Sequence, residues 1–341
     1  MDNASYQRID SITARILDGG DMTTDEAKWM IRLEDDFLPW LMAGADRIRK
    51  TYRGNEIEVC AISNVRSGNC SENCSFCSQS GHYQTSSPVY NYISNEELSR
   101  QAQQAREWGA SDFGVVSKGW GVRSDKERKQ LKEYFQTLEQ TSDIGRCASL
   151  GALDANSAAE LKAMGMENYH HNLECAESFF DQVCTTHTYQ ENIDTITAAI
   201  NAGLRVCSGG ILGMGENLDQ RIELADTLRQ LGVESVPLNF LNPQQGTPFG
   251  DRTPMTPMEI LKCIAVFRYM LPRAEIRIAG GRQFLGDMQA MIFMAGASGV
   301  MIGDYLTTKG RSVEDDLKML ADLKLSPRED TQQRRAQRES A

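Results

Sequence analysis

Thr188-Tyr189-Gln190-Glu191 opens a helical stretch, Ala202-Gly203 closes it, and Leu204-Arg205-Val206-Cys207 starts a short apolar run that leads into Ser208-Gly209-Gly210-Ile211. Thr188 and Glu191 have capping-box spacing, in which the two side chains satisfy each other's free backbone N–H groups. Gly203 suits the left-handed residue that ends a helix. The punctuation recurs: Trp108-Gly109 stands before Phe113-Gly114-Val115-Val116, Met164-Gly165 before Tyr169, Leu231-Gly232 before Val236-Pro237-Leu238, and Ala295-Gly296 before Val300-Met301-Ile302. Ser94 and Glu97 repeat the capping spacing, and Leu98, Ala102, Ala105 and Trp108 then share one helical face, as a covering helix requires.

Eight strands are expected, at 56–64, 112–117, 145–150, 168–173, 205–212, 234–240, 274–280 and 299–303, each separated from the next by a helical pattern. Strict alternation implies parallel pairing with crossover helices. Eight units over roughly 250 residues is the size of a closed (β/α)8 barrel of the TIM type. A doubly wound open sheet is the competing arrangement. Residues 1–55 are expected as an N-terminal helical extension outside a barrel spanning 56–325. Residues 326–341 are expected as a short, charged, mobile tail with almost no large apolar side chain.

The 341 residues are 40% apolar and 24% charged, enough for one large core. With 36 Lys and Arg against 47 Asp and Glu, the net charge is −11, which argues against a nucleic-acid or anionic-membrane surface. No run approaches the ~20 apolar residues of a membrane span; Met291 to Ile302 is broken by Gly and Ser. Met1-Asp2-Asn3-Ala4-Ser5 has no apolar run behind it, so a cytoplasmic protein is expected. There its nine cysteines would be mostly reduced thiols, and an odd number does not pair completely.

Three of them form Cys-x3-Cys-x2-Cys, in Ser67-Gly68-Asn69-Cys70-Ser71-Glu72-Asn73-Cys74-Ser75-Phe76-Cys77. The segment follows the first strand and so belongs at the barrel's C-terminal mouth, where active sites of this fold lie. Three thiolates on a four-iron cluster leave one iron open to a ligand, whereas a structural zinc site wants four closed ligands. His82 is near, but no fourth ligand stands at zinc spacing. Cys60, Cys147, Cys207 and Arg277 fall on the first, third, fifth and seventh strands, and alternate strands of a barrel fill one interior layer. Each Cys could be a small buried hydrophobe. A guanidinium in a barrel core, however, requires an anionic partner, and a second, thiolate-held iron–sulfur centre would be one. Cys175, Cys184 and Cys263 read as packing or surface residues, and the 15 Met as core filler.

The triplet, with Phe76 before its last Cys, is similar to that of the radical S-adenosylmethionine enzymes. Together with Tyr169-His170-His171-Asn172-Leu173-Glu174, Val206-Cys207-Ser208-Gly209-Gly210-Ile211, Ser235-Val236-Pro237-Leu238-Asn239, Gly246-Thr247-Pro248 and Ile276-Arg277-Ile278-Ala279-Gly280-Gly281-Arg282, it resembles the biotin synthase family over about residues 56–320. The resemblance implies an auxiliary cluster held by cysteines on strands two, three and five and an arginine on strand seven. Cys147, Cys207 and Arg277 match, but the strand-two position is Gly114, and Cys60 stands where the family has a non-ligating serine. The third thiolate is therefore expected to have moved to strand one, as in a divergent subgroup whose auxiliary cluster is larger than a two-iron one.

The resemblance further implies that Asn172 and Glu174 bind the ribose of S-adenosylmethionine, that Ile211 and the Gly-rich run pack on its adenine, and that Asn239 binds the ureido ring of dethiobiotin. Glu174 is one methylene longer than the family's Asp. Asn192 stands where many relatives have an Arg for the methionyl carboxylate, and Lys118 or Arg123 could substitute. His170 and His171 read as core and rim residues. The implied function is sulfur insertion into dethiobiotin, giving biotin, with a flavodoxin or ferredoxin as electron donor and a homodimer as the assembly. The alternatives are a related radical rearrangement or methylation, and a non-catalytic iron–sulfur or zinc protein.

Overall fold

Buried side chains run along nearly the whole length of every central strand, as parallel strands covered by helices require. The computed structural model describes residues 3–122, 124–141 and 143–328. Its strands are β1 (Glu56–Arg66), β2 (Asp112–Ser117), β3 (Gly145–Ser149), β4 (Asn168–His170), β5 (Arg205–Cys207), β6 (Gly210–Leu212), β7 (Ser235–Phe240), β8 (Glu275–Ile278), β9 (Gly299–Met301) and β10 (Ser326–Pro327). All pair in parallel, in the order β1-β2-β3-β4-β5-β7-β8-β9, and β9 returns to β1, so the sheet closes on itself, with β10 added beside the start of β1. The expected (β/α)8 barrel is the observed one. Its fifth stave is broken into β5 and β6, and both pieces pair with β7. The fourth stops at His170, before the left-handed Glu174.

Register fixes the stagger. Cys60 pairs with Asp112, two residues before Gly114, which pairs with Cys147. Cys147 meets Asn168, two before His170, which meets Cys207. Cys207 meets Ser235, two before Pro237, which meets Arg277. Arg277 meets Gly299, two before Met301, which returns to Cys60. Four steps of two residues make a shear of eight, the value for this barrel. Cys60, Cys147, Cys207 and Arg277 therefore share one interior layer.

The helices are α1 (Asn3–Leu17), α2 (Thr24–Ile31), α3 (Leu38–Arg53), α4 (Asn95–Glu107), α5 (Asp125–Thr141), α6 (Ala155–Ala163), α7 (Tyr189–Asn201), α8 (Leu218–Gln230), α9 (Pro257–Met270), α10 (Met291–Met294) and α11 (Val313–Asp322). Thr188 and Glu191 complete the expected capping box at α7, while at α4 only the Ser94 half forms. All five punctuating glycines adopt left-handed φ, between 67° and 103°. α2 packs on α8 and α9, and α3 on α9, which puts the first three helices outside the barrel. Ser326 and Pro327 pair beside Glu56 and Ile57, and most of the charged tail, residues 329–341, lies outside the described residues. Among the described residues no helix is long and apolar enough to cross a membrane.

Candidate functional site

The loop that leaves β1 turns sharply at Gly68 and Asn69, both with left-handed φ, and a Cβ on Gly68 would stand 2.6 Å from Val89 Cγ2. Backbone bonds then fold it over itself. Cys70 N–H donates to Gln79 O at 2.8 Å, Gly81 N–H to Cys70 O at 2.8 Å, and Cys77 N–H to Cys74 O at 2.9 Å. Cys70, Cys74 and Cys77 are half-buried at the mouth. Burial pushes the Cys77 thiol up to about 11, with Cys70 close enough to add to the effect.

Beneath the loop lies a cavity of about 330 Å³ that joins the expected residues, a volume typical of small-molecule sites. Phe76 and Cys77 form its rim, Asn172, Glu174, Ile211 and Asn239 its middle, and the layer of Cys60, Cys147, Cys207 and Arg277 its floor. Gly114 lines it where the strand-two ligand was sought, and a Cβ there would already stand 3.1 Å from Ile62 Cγ2.

Arg277 corrects one expectation. Its anionic partner is a carboxylate: Nη2 donates to Glu58 Oε2 at 2.5 Å, and Arg205 Nη1 donates to Glu58 Oε1 at 2.6 Å. The guanidinium needs no cluster to explain its burial. Its Nη1 reaches Cys207 Sγ at 3.4 Å, and His170 Nδ1 lies 3.5 Å from the same sulfur. Burial alone would raise the Cys207 thiol, but Arg277 and His170 bring it down to about 7. Cys60, more dependent on burial, rises to about 12.

Asn172 Nδ2 donates to Glu174 Oε2 at 3.3 Å, and Asn172 Oδ1 accepts from Gly209 N–H. Burial raises the Glu174 carboxyl to about 7. Asn239 is fixed from both ends, Nδ2 donating to Gly210 O and Oδ1 accepting from Gly280 N–H. One hydrogen and one lone pair of its amide stay free for a ligand. Asn192 is buried on α7 with Oδ1 2.9 Å from His171 Nε2, while its Nδ2 lacks a partner. Lys118 Nζ donates to Asn69 O beside the triplet, and Arg123 lies outside the described residues.

Burial lowers His171 from the usual 6.5 to about 4. A lowered folded value means stability fully present above 6.5 and lost as pH falls through about 4. Relative to His171→Gln, the wild type should lose roughly 3 kcal/mol between pH 7 and 4, read from urea unfolding at each pH. Parallel curves for the two proteins would show that His171 titrates freely.

Cys184 is not the isolated packing residue the sequence suggested. Its sulfur lies 3.8 Å from Cys74 Sγ and 3.3 Å from His187 Nδ1, and that nitrogen is 2.9 Å from Glu72 Oε2. No sequence signal joins Glu72 to residues more than 110 positions later; only the Phe180–Tyr189 segment folding under the loop does so. Cys175 and Cys263 are buried as expected, Cys263 against Arg221.

Among the described residues, Glu72, Cys184 and His187 are the one set of three potential ligands whose atoms all lie within 4.8 Å of one another. The Cys70, Cys74, Cys77 triplet and the Cys60, Cys147, Cys207 triplet are each spread wider.

Comparison with known proteins shows the family. Residues 64–228 match the Radical SAM superfamily, and residues 237–326 the Biotin and Thiamin Synthesis associated domain. The chain is 46% identical to biotin synthase of Syntrophotalea carbinolica over 319 residues, 93% of this chain and 98% of the relative. The chain belongs to the biotin synthase family. Biotin synthase of Geobacter sulfurreducens is 44% identical over 94% of this chain and 98% of its own. Among solved structures, methylornithine synthase superposes with a TM-score of 0.82 at 18% identity, covering 93% of this chain and 97% of its own. At that identity the likeness shows a shared barrel, which biotin synthases thus hold in common with enzymes of other activity.

Proposed function

We propose that the chain carries out the biotin synthase reaction, inserting sulfur into dethiobiotin to give biotin, with the two cysteine triplets holding two iron–sulfur groups on opposite sides of one cavity. The observation that carries the reading is that single cavity, bounded by Cys77 at its rim and by Cys60, Cys147 and Cys207 at its floor. When bound, a four-iron cluster with S-adenosylmethionine supplies the radical that takes hydrogen from an unactivated carbon, and an auxiliary cluster supplies the sulfur.

The residues then have distinct tasks. Cys70, Cys74 and Cys77 hold the four-iron cluster and leave one iron for S-adenosylmethionine. Asn172 and Glu174 meet its ribose hydroxyls, and Ile211 lies against its adenine. Asn239 presents its free amide hydrogen and lone pair to the ureido ring, keeping dethiobiotin between rim and floor. Cys60, Cys147 and Cys207 hold the auxiliary cluster, replacing the strand-two ligand that Gly114 cannot provide. Arg277, tied to Glu58, aims a charged N–H at Cys207. A rearrangement or methylation would have no use for that floor. The same reading takes a flavodoxin or ferredoxin as electron donor, a homodimer as the assembly and the cytoplasm as its compartment, with 56–325 as the catalytic unit.

The test is anaerobic turnover of reconstituted protein with dethiobiotin, S-adenosylmethionine and a reductant, followed by mass spectrometry. Biotin and 5′-deoxyadenosine are both expected, and both should vanish in Cys77→Ser. Formation of 5′-deoxyadenosine without biotin would leave the radical chemistry standing and remove dethiobiotin as substrate.

A further inference from the structure

Beside the triplet, Glu72, Cys184 and His187 converge although they come from two separate segments. Their separations are close to those a single ion imposes: a tetrahedral metal with bonds of about 2.0–2.3 Å keeps its ligand atoms about 3.3–3.8 Å apart. Cys184 Sγ and His187 Nδ1 are 3.3 Å apart, and His187 Nδ1 and Glu72 Oε2 2.9 Å. All three side chains are buried.

Outer contacts fix them as they do around bound metals. Trp120 stacks on His187 at 3.8 Å between ring centroids, 21° from parallel, which holds the imidazole plane. Thr186 Oγ1 donates to Glu72 Oε2 at 2.6 Å. A fourth candidate ligand stands next to the set: Cys74 Sγ lies 3.8 Å from Cys184 Sγ. Carboxylate, imidazole and two thiols make a donor set for zinc rather than for calcium or magnesium, which take oxygen ligands.

We propose that Glu72, Cys184 and His187, completed by Cys74, form a zinc-type site in the cluster-free chain, and that its occupation withdraws one thiolate from the Cys70, Cys74, Cys77 triplet. Binding displaces the thiol protons to solvent and changes no oxidation state. Cys74 cannot serve both groups, so the metal and the cluster at the mouth exclude each other. This second part rests on the cluster reading above; the metal site itself does not.

Cluster-free, full-length protein is titrated anaerobically with Co2+, whose visible bands report tetrahedral geometry and thiolate ligation. One equivalent should bind, weakened at least about tenfold in Cys184→Ser and in His187→Gln and unchanged in Cys70→Ser. The site is overturned if the equivalent survives in both of the first two variants, or is lost in the third. Should Cys184→Ser not fold, His187→Gln decides. In a second arm, zinc is added before reconstitution with iron and sulfide. The zinc-loaded wild type should assemble at least about tenfold less mouth cluster than the zinc-free protein, and Cys184→Ser the same amount either way. Equal blockage in Cys184→Ser would overturn the coupling through Cys74. Failure of the zinc-free protein to assemble any cluster would overturn the cluster reading and leave the Co2+ titration to stand on its own.

Discussion

Cys60→Ala protein is expected to cleave S-adenosylmethionine at nearly the wild-type rate and to make no biotin. Cys60 lies in the barrel's interior layer with Cys147, Cys207 and Arg277, whereas Phe76 and Cys77 belong to the loop above and Asn172 and Glu174 follow the end of β4. Sites so separated act almost independently, so 5′-deoxyadenosine formation should change by no more than about twofold. Removing one of three floor thiolates, in contrast, takes a ligand from the group proposed to give up sulfur. Iron and acid-labile sulfide per chain should fall together with biotin, which separates loss of the cluster from misplacement of the substrate. Biotin at wild-type yield would mean that Cys147 and Cys207 suffice, and that Cys60 is a buried hydrophobe after all.

Glu58→Ala should be the most destabilising single change in the barrel. It leaves Arg205 and Arg277 buried together without their shared carboxylate. Breaking a buried ion pair costs about 3–5 kcal/mol, and the melting temperature of the cluster-free chain should fall by about 5 °C. Arg277→Met makes the informative comparison. There Glu58 keeps Arg205, the new side chain is apolar, and the loss should be much smaller. Calorimetry on the two variants decides the matter, because equal losses would mean that Glu58 matters through Arg277 alone.

Much of the barrel was legible because its signals are local. A glycine stop, a capping residue and an apolar run each depend on a few adjacent residues, and five such junctions predicted eight staves. The cysteine layer was legible because parity in a closed barrel is a rule of geometry, so positions on alternate strands could be compared before any contact was known. Glu58 was missed because an acid in an alternating strand reads as a solvent-facing position. Here its face is the barrel interior, and only Arg205 and Arg277, 147 and 219 residues away, make it tolerable. The contacts of Cys184, buried as a packing residue, were hidden for a related reason, since its neighbours Cys74 and Glu72 arrive on another loop. The early end of β4 was equally hidden: Glu174 adopts a left-handed φ of 65°, a conformation that composition does not announce for Glu.

The charged floor carries one more consequence. Glu58, Arg205 and Arg277, with Asn168 bonded to Asp112 beside them, stopper the barrel beneath the cavity that Phe76 and Cys77 line from above. A well stoppered below is filled from the bottom. Whatever rests near Cys207 should enter before whatever rests under Phe76, and leave after it. An ordered loading and release is thus the expected consequence of a barrel plugged at one end, and steady-state inhibition patterns check it.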